Sequence, residues 1–402
     1  MILISLALVA TLTSCVARDP SAPSVQEPPL ASAEVSESTR ALWQQLWALD
    51  GDAFMFGHQD SLAYGVEWRG SDWQDSNEDR SDVKLSAGDY PALYGWDLGH
   101  LELNDDVNLD GVAFDAMRDW MRSAYERGGV VTISWHMTHP ATGATSWDID
   151  TGAAELLPGG RHHEELKQAL DHFVDFALSL TVTLPNGETG PMPLIFRPWH
   201  EHNGDWFWWG KGPTSEEDYQ VLWRFTFEYL TQTRGLNNLL FAFSPDRSRI
   251  DMAHFETSYL YGYPGDAYVD IMGIDNYWDL GHGNNKATRA ESERQFVESL
   301  AGVARVAEQH GKLPAMTEGG QDTVFETDFY TDRLLKGWLS NEYTRQIRYI
   351  QVWRNANRAD ENKDHFYVPY PGHASANDFV EFYEHPVTLF ERDLPDMYQR
   401  EE

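Results

Sequence analysis

The chain has 402 residues, 42% of them hydrophobic, which is enough to bury one large core. Its 64 Asp and Glu against 30 Lys and Arg give a formal net charge of -34, which repels nucleic acid and anionic lipid and argues against a polyphosphate substrate. Cys15 is the one cysteine, so neither a disulfide framework nor a thiolate metal site can be built.

In chain order, Met1 to Leu12 is an apolar run too short to span a bilayer, and small residues in Leu12-Thr13-Ser14-Cys15 lead up to the thiol. The arrangement resembles bacterial lipoprotein signals. That resemblance implies a signal peptide over 1–14, a lipid anchor on Cys15 and, because Val16 follows it, a place at the bacterial outer membrane or cell surface. Pro20, Pro23, Pro28 and Pro29, set among Ser, Ala and Glu, make 15–38 a polar linker. One folded domain is expected over 39–402.

Within it, eight short runs are rich in Val, Ile, Phe, Tyr and Trp: 53–59, 92–98, 130–136, 193–199, 239–245, 269–277, 313–319 and 347–353. Amphipathic helices are expected at 110–127, 163–180, 216–233 and 291–310. Strands alternating with helices predict a parallel sheet, and eight such units predict an α/β fold, a (β/α)8 TIM barrel. The first and fifth crossovers read weakest: residues 60–90 are mostly loop, and only a short helical stretch follows Pro245. The rival is an open doubly wound sheet, but no Gly-rich strand-to-helix turn supports it.

The predicted strands end in polar or aromatic residues, among them Trp96-Asp97, Trp135-His136, His200-Glu201, Ser244-Pro245-Asp246, Asp275-Asn276-Tyr277 and Thr317-Glu318. Barrel active sites gather at those ends. The densest stretch is Pro193 to Gly210, where Arg197, His200, Glu201, His202 and Asn203 are followed by Trp206, Phe207, Trp208 and Trp209 with no regular period. Large aromatics beside a carboxylate suit the flat face of a sugar ring, and any one of them equally suits the core.

Cleaving a glycosidic bond takes two carboxyl groups, and Glu201 and Glu318, on strands that face each other across a barrel, are the candidates. A retaining pair stands about 5 to 5.5 Å apart. Glu318, ahead of two glycines, is read as the nucleophile; Glu201, in an aromatic setting, is read as the acid, kept protonated by desolvation. Tyr277 and Arg197 are expected to hold Glu318, with Asp275 supporting them at the end of strand six. His136 and His200 either bind sugar hydroxyls or make structural hydrogen bonds. Trp206 and Trp353 are the first choices for stacking platforms, with Trp147 and Trp278 behind them. His200-Glu201-His202 and His162-His163 invite a metal, yet the helical H-E-x-x-H spacing is missing, so no metal and no cofactor is expected. No G-x-S-x-G elbow is present.

IFRPWHEHNGDWFWWG, with SWHMTHP before it and SPD, GIDNYW, MTEGG and QVWRNA after it, resembles glycoside hydrolase family 26, best known for β-mannanases. The likeness runs in order from about Phe56 to Trp353. It implies a retaining barrel enzyme with Glu201 as acid/base and Glu318 as nucleophile. It further implies substrate contacts from His136, Trp147, His200, Trp206, Tyr277, Trp353 and Arg354. His139 departs from the Asn of many relatives. The implied activity is hydrolysis of β-1,4 bonds in mannan, glucomannan or galactomannan by a monomer. An exo-acting mannobiohydrolase, a β-1,3-xylanase or mixed-linkage glucanase, and a non-catalytic glycan-binding lipoprotein stay open. The acidic stretch Glu102 to Asp110 either walls off one end of a cleft or is solvated.

Overall fold

In a computed structural model of the chain, residues 29–69 and 80–399 are described; Cys15 and the signal stretch lie outside them. The eight apolar runs form eight strands: β1 (Phe54–Gln59), β2 (Leu93–Asp97), β3 (Val130–Ser134), β4 (Leu194–Arg197), β5 (Leu239–Phe243), β6 (Ile271–Asn276), β7 (Leu313–Gly319) and β8 (Tyr349–Val352). Neighbours pair in parallel in sequence order, and β8 returns to β1 through Met55↔Tyr349 to His58↔Val352, which closes the barrel. Nearly every strand residue is buried, as expected when helices cover the outside of a parallel sheet. The barrel centre is partly polar: Gln351 donates to Gln59 across 2.9 Å. Only a glycine fits opposite this pair, since a Cβ on Gly95 would stand 2.1 Å from the Gln59 oxygen.

The expected helices lie at Phe114–Glu126, His163–Ser179, Glu216–Glu228 and Arg289–His310. The last starts on a capping box between Thr288 and Glu291 and stops at Gly311, whose φ of 63° suits glycine. The two weak crossovers are short: a two-residue hairpin and helix Asp82–Ala87 follow β1, and helix Phe255–Tyr259 follows β5. A helix at Glu37–Ala48 precedes the barrel, and the Ala31 amide already donates to Asp270 just before β6. The chain therefore packs ahead of the Ser38 boundary that composition suggested.

The floor of the barrel, at the N-terminal ends of the strands, gathers both ends of the described chain. A short ninth strand, Thr388–Leu389, pairs with the start of β1. Tyr398 donates to the Gly129 carbonyl just before β3, and Gln45 donates to the Gln399 carbonyl. The opposite ends of the strands carry the polar residues.

Candidate active site

The turn after β4 is built on strained backbone. Trp199 and Glu201 have φ of 52° and 53°, a region that costs a non-glycine residue about 1 kcal/mol or more. Several contacts hold it there. The Glu201 amide donates to Ser244 O (2.8 Å), Tyr219 to Trp199 O (3.0 Å) and the Trp209 indole to His200 O (2.8 Å). Asn203 clamps Asp246 in both directions at 2.8 Å, which stitches this turn to the end of β5.

The aromatic run divides between core and cleft. Trp208 and Trp209 are fully buried, and their indoles donate to Met137 O and His200 O. Trp206 faces the cleft, and its indole donates to Glu201 Oε2 at 2.8 Å.

Strands β6 and β7 pair with a register shift: Ile274 stands opposite Met316, but Asp275 stands opposite Glu318. Thr317 is the extra residue of this bulge, which re-aims the strand and brings the two carboxylates side by side. Arg197, 2% exposed, lies between them, donating to Asp275 Oδ2 (2.6 Å) and to Glu318 Oε2. Asp275 Oδ1 accepts from Ser244 (2.6 Å) and Thr317 (2.8 Å), and Glu318 Oε1 accepts from Tyr277 (2.7 Å). Oxygens of Glu201, Asp275 and Glu318 lie within 4.8 Å of one another, a set that resembles a metal site. The cation that Asp275 and Glu318 meet is the Arg197 guanidinium.

Among the described residues no cation pairs with Glu201, and its one side-chain donor is the Trp206 indole. Burial, then the charges of Asp246, Asp275 and Glu318, push its carboxyl well above the ordinary carboxylate range. The acid/base and nucleophile candidates thus sit in opposite electrostatic settings.

The cleft above them has a volume of about 710 Å³, and Glu201, Glu318, His136, Trp147, Trp206, Tyr277 and Trp353 line it together. Trp147 is half exposed and stacks on His136, with ring centres 5.2 Å apart. His136 is oriented from beneath by Asp97, Nδ1 to Oδ2 at 2.7 Å. Burial would lower the histidine, but the Asp97 carboxylate raises it above its ordinary value. Burial would likewise raise Asp97, yet contacts from His136, Ser134 and Gly99 hold it at about 2.

Two residues expected at the substrate are placed elsewhere. His200 is 1% exposed behind His136, Nε2 to Nε2 at 3.2 Å. Burial and then Arg197 keep it far below its usual pKa, so it is a neutral support for His136. The left-handed turn carries its ring inward while presenting Glu201. Arg354 stands apart from the cleft lining because Asp110 (3.1 Å) and Glu361 (2.5 Å) pair with it. Glu102 accepts from the Trp135 indole (2.8 Å), so this acidic stretch is tied down at both ends, and it contributes nothing to the cleft lining. The suspected metal-binding histidines diverge: His202 bonds to Tyr261 O, His162 to Glu165 and His163 to Leu156 O. His139 packs edge-on against Trp208 outside the lining, while Trp278 does line the cleft.

Other lining residues were not singled out from sequence. Asp246 and, beneath the lining, Asp97 were visible as strand ends without a role. Ser248, Arg249, His282, Asn284, His365 and Tyr367 come from loops after β5, β6 and β8 that carry no periodic signal.

Residues 31–348 match the model of glycosyl hydrolase family 26. The mannan endo-1,4-beta-mannosidase of Bifidobacterium adolescentis is 29% identical over 388 residues, covering 93% of this chain and 36% of that protein. That of Bacillus subtilis is 32% identical over 218 residues, 52% of this chain and 56% of that protein. The chain thus spans between about a third and somewhat over half the length of these relatives. Among solved structures, a GH26 beta-mannanase from Bacteroides ovatus superposes with a TM-score of 0.80 at 36% identity, covering 91% of this chain and 98% of that one. The catalytic domain of a Bacillus sp. GH26 endo-beta-1,4-mannanase gives a TM-score of 0.82 at 32% identity, covering 93% and 97%.

Proposed function

The chain belongs to glycosyl hydrolase family 26, and on that premise we propose that it is a retaining endo-β-mannanase acting on β-1,4-mannosidic bonds. The observation that carries the mechanism is the close approach of the Glu201 and Glu318 oxygens, within 4.8 Å. It suits a retaining pair, at about 5 to 5.5 Å, and leaves too little room for the water of an inverting one, at about 6.5 to 9.5 Å. The substrate follows from the relatives, whose names specify mannan and internal cleavage.

Glu318 attacks the anomeric carbon while the bond to the leaving oxygen breaks and Glu201 gives that oxygen its proton. Arg197 and Tyr277 aim the Glu318 carboxylate at the carbon. Glu201, now ionised, takes a proton from water, and the resulting oxygen attacks the same carbon and frees Glu318. Trp147, Trp206 and Trp353 offer ring faces and edges to the sugars, and His136, held by Asp97, offers a polar ring nitrogen.

The test is the product profile from mannan, with xylan and mixed-linkage glucan in parallel. Mixed manno-oligosaccharides from the outset are expected. A single short product would overturn endo action, and cleavage of another glycan alone would overturn the mannan assignment. The same proposal includes a lipid anchor on Cys15 at the outer membrane, supported by the Leu12 to Cys15 sequence and the linker after it. Fatty-acid labelling that is equal in wild type and Cys15→Ala would refute the anchor.

A further inference from the structure

The acid Glu201 gives its proton to the leaving oxygen, so the sugar that departs lies on Glu201's side of the cleft. That side is made by the strand-four turn and by residues 246–249 after β5. Trp206 is bonded to Glu201, the Arg249 guanidinium lies 5.2 Å from the Trp206 ring centre, and Asp205 pairs with Arg249 at 2.6 Å.

Asp246 stands out among these residues. It is 6% exposed and lines the cleft. Its Oδ1 accepts from the Ser248 amide (2.8 Å) and from the Ser248 hydroxyl. Its Oδ2 has no hydrogen-bond partner among the described residues and is not sealed from solvent, and the residue borders the cleft. A nearly buried carboxylate oxygen without a donor is costly, and the cost is relieved when a donor arrives. The Asn203 clamp and the bond from the Glu201 amide to Ser244 hold this oxygen at a fixed place relative to the acid. The Asn203 clamp uses only backbone atoms of Asp246 and the other bond uses the Ser244 carbonyl, so Oδ2 is left spare for a ligand.

We propose that Asp246 is a specificity-determining residue for the leaving-group sugar, its free oxygen accepting a hydrogen bond from a pyranose hydroxyl of the departing unit. The inference rests on the hydrolase reading above and extends it to one subsite. It gives the enzyme a reason to prefer a sugar, rather than any other leaving group, on that side. Because the Asp246 charge is also the foremost charge acting on Glu201, the contact couples recognition of the leaving sugar to the acid that must protonate it.

The experiment compares kcat/KM of wild type and Asp246→Asn on mannopentaose and on a dinitrophenyl β-mannobioside, which places no sugar beyond the scissile bond. Asn keeps the volume and an oxygen for Ser248. With mannopentaose, kcat/KM is expected to fall about 10- to 100-fold, the worth of a hydrogen bond to a charged group. With the aryl substrate at acidic pH it is expected to be unchanged. The alkaline limb of the pH profile should move to lower pH, since a negative charge near Glu201 is gone. Equal losses on both substrates would mean that Asp246 only supports the turn, and no loss on either would mean that it touches nothing; each overturns the proposal. A wild type that cleaves no mannoside would overturn the hydrolase reading and this inference with it.

Discussion

At the turn after β4, a carboxyl stands on left-handed backbone, walled by aromatic rings, with one indole N–H against it and three other carboxylates around it. At the end of β7, the same side chain stands on a bulged strand and takes a guanidinium on one oxygen and a phenol on the other. Burial and the neighbouring carboxylates penalise charge in the first setting, whereas the second offers a cation and a hydroxyl donor as neighbours. Chemistry that needs a proton donor and a nucleophile thus meets two glutamates whose neighbours differ.

The comparison can be broken at the carboxylates themselves. Glu318→Ala should stop turnover of mannan and of an activated aryl mannoside alike, because no leaving group removes the need for a nucleophile. Glu201→Ala should cost about 10²- to 10⁴-fold on mannan, the worth of general acid help, and far less in the first step on a dinitrophenyl leaving group that needs no proton. Steady-state and burst kinetics on both substrates check this, and equal losses from Glu201→Ala on the two would exchange or erase the roles.

Removing the cation tests the second setting by stability. Arg197→Met leaves Asp275 and Glu318 buried and facing each other without a positive charge, which should cost about 3 to 5 kcal/mol in denaturant unfolding. A loss under about 1 kcal/mol, the range of exposed pairs, would show that the guanidinium is not what holds the two carboxylates together.

The smallest expected effect sharpens the first setting. The Trp206 N–H favours the ionised form of Glu201, so Trp206→Phe should raise the acid further and shift the alkaline limb of the pH profile upward. The shift should be less than about one unit, as one neutral donor is worth about 1 kcal/mol. A downward shift would contradict the assigned contact.

Much of the scaffold was legible because parallel strands are buried on both faces and read as unbroken apolar runs, whose polar ends mark the site. Glu201, Glu318, Tyr277 and Trp206 were readable on that basis. His200 was not, because its direction depends on two non-glycine residues with positive φ, and no pattern of side chains announces such a turn. Arg354 was misplaced for another reason. A buried guanidinium goes where its carboxylates are, and those are Asp110 from the loop after β2 and Glu361 from the short helix Arg358–Glu361 that follows β8. The pairing of Asp275 with Glu318 was equally hidden, since it hangs on a bulge at Thr317 inside an ordinary-looking strand. Tyr367 and His365 reach the cleft from a loop without periodicity, where sequence offers no handle.

The gathering of both described chain ends beneath the barrel has a practical consequence. Ala31 is fixed beside Asp270 and Tyr398 beside Gly129, each next to the first residue of a strand, while the cleft opens over the last residues of those strands. Anything joined to either end, whether a tether to a surface, a neighbouring module or a tag for immobilisation, attaches at the far pole. The attachment points thus lie at the pole opposite the cleft, and enzyme immobilised through either end should keep its cleft unobstructed.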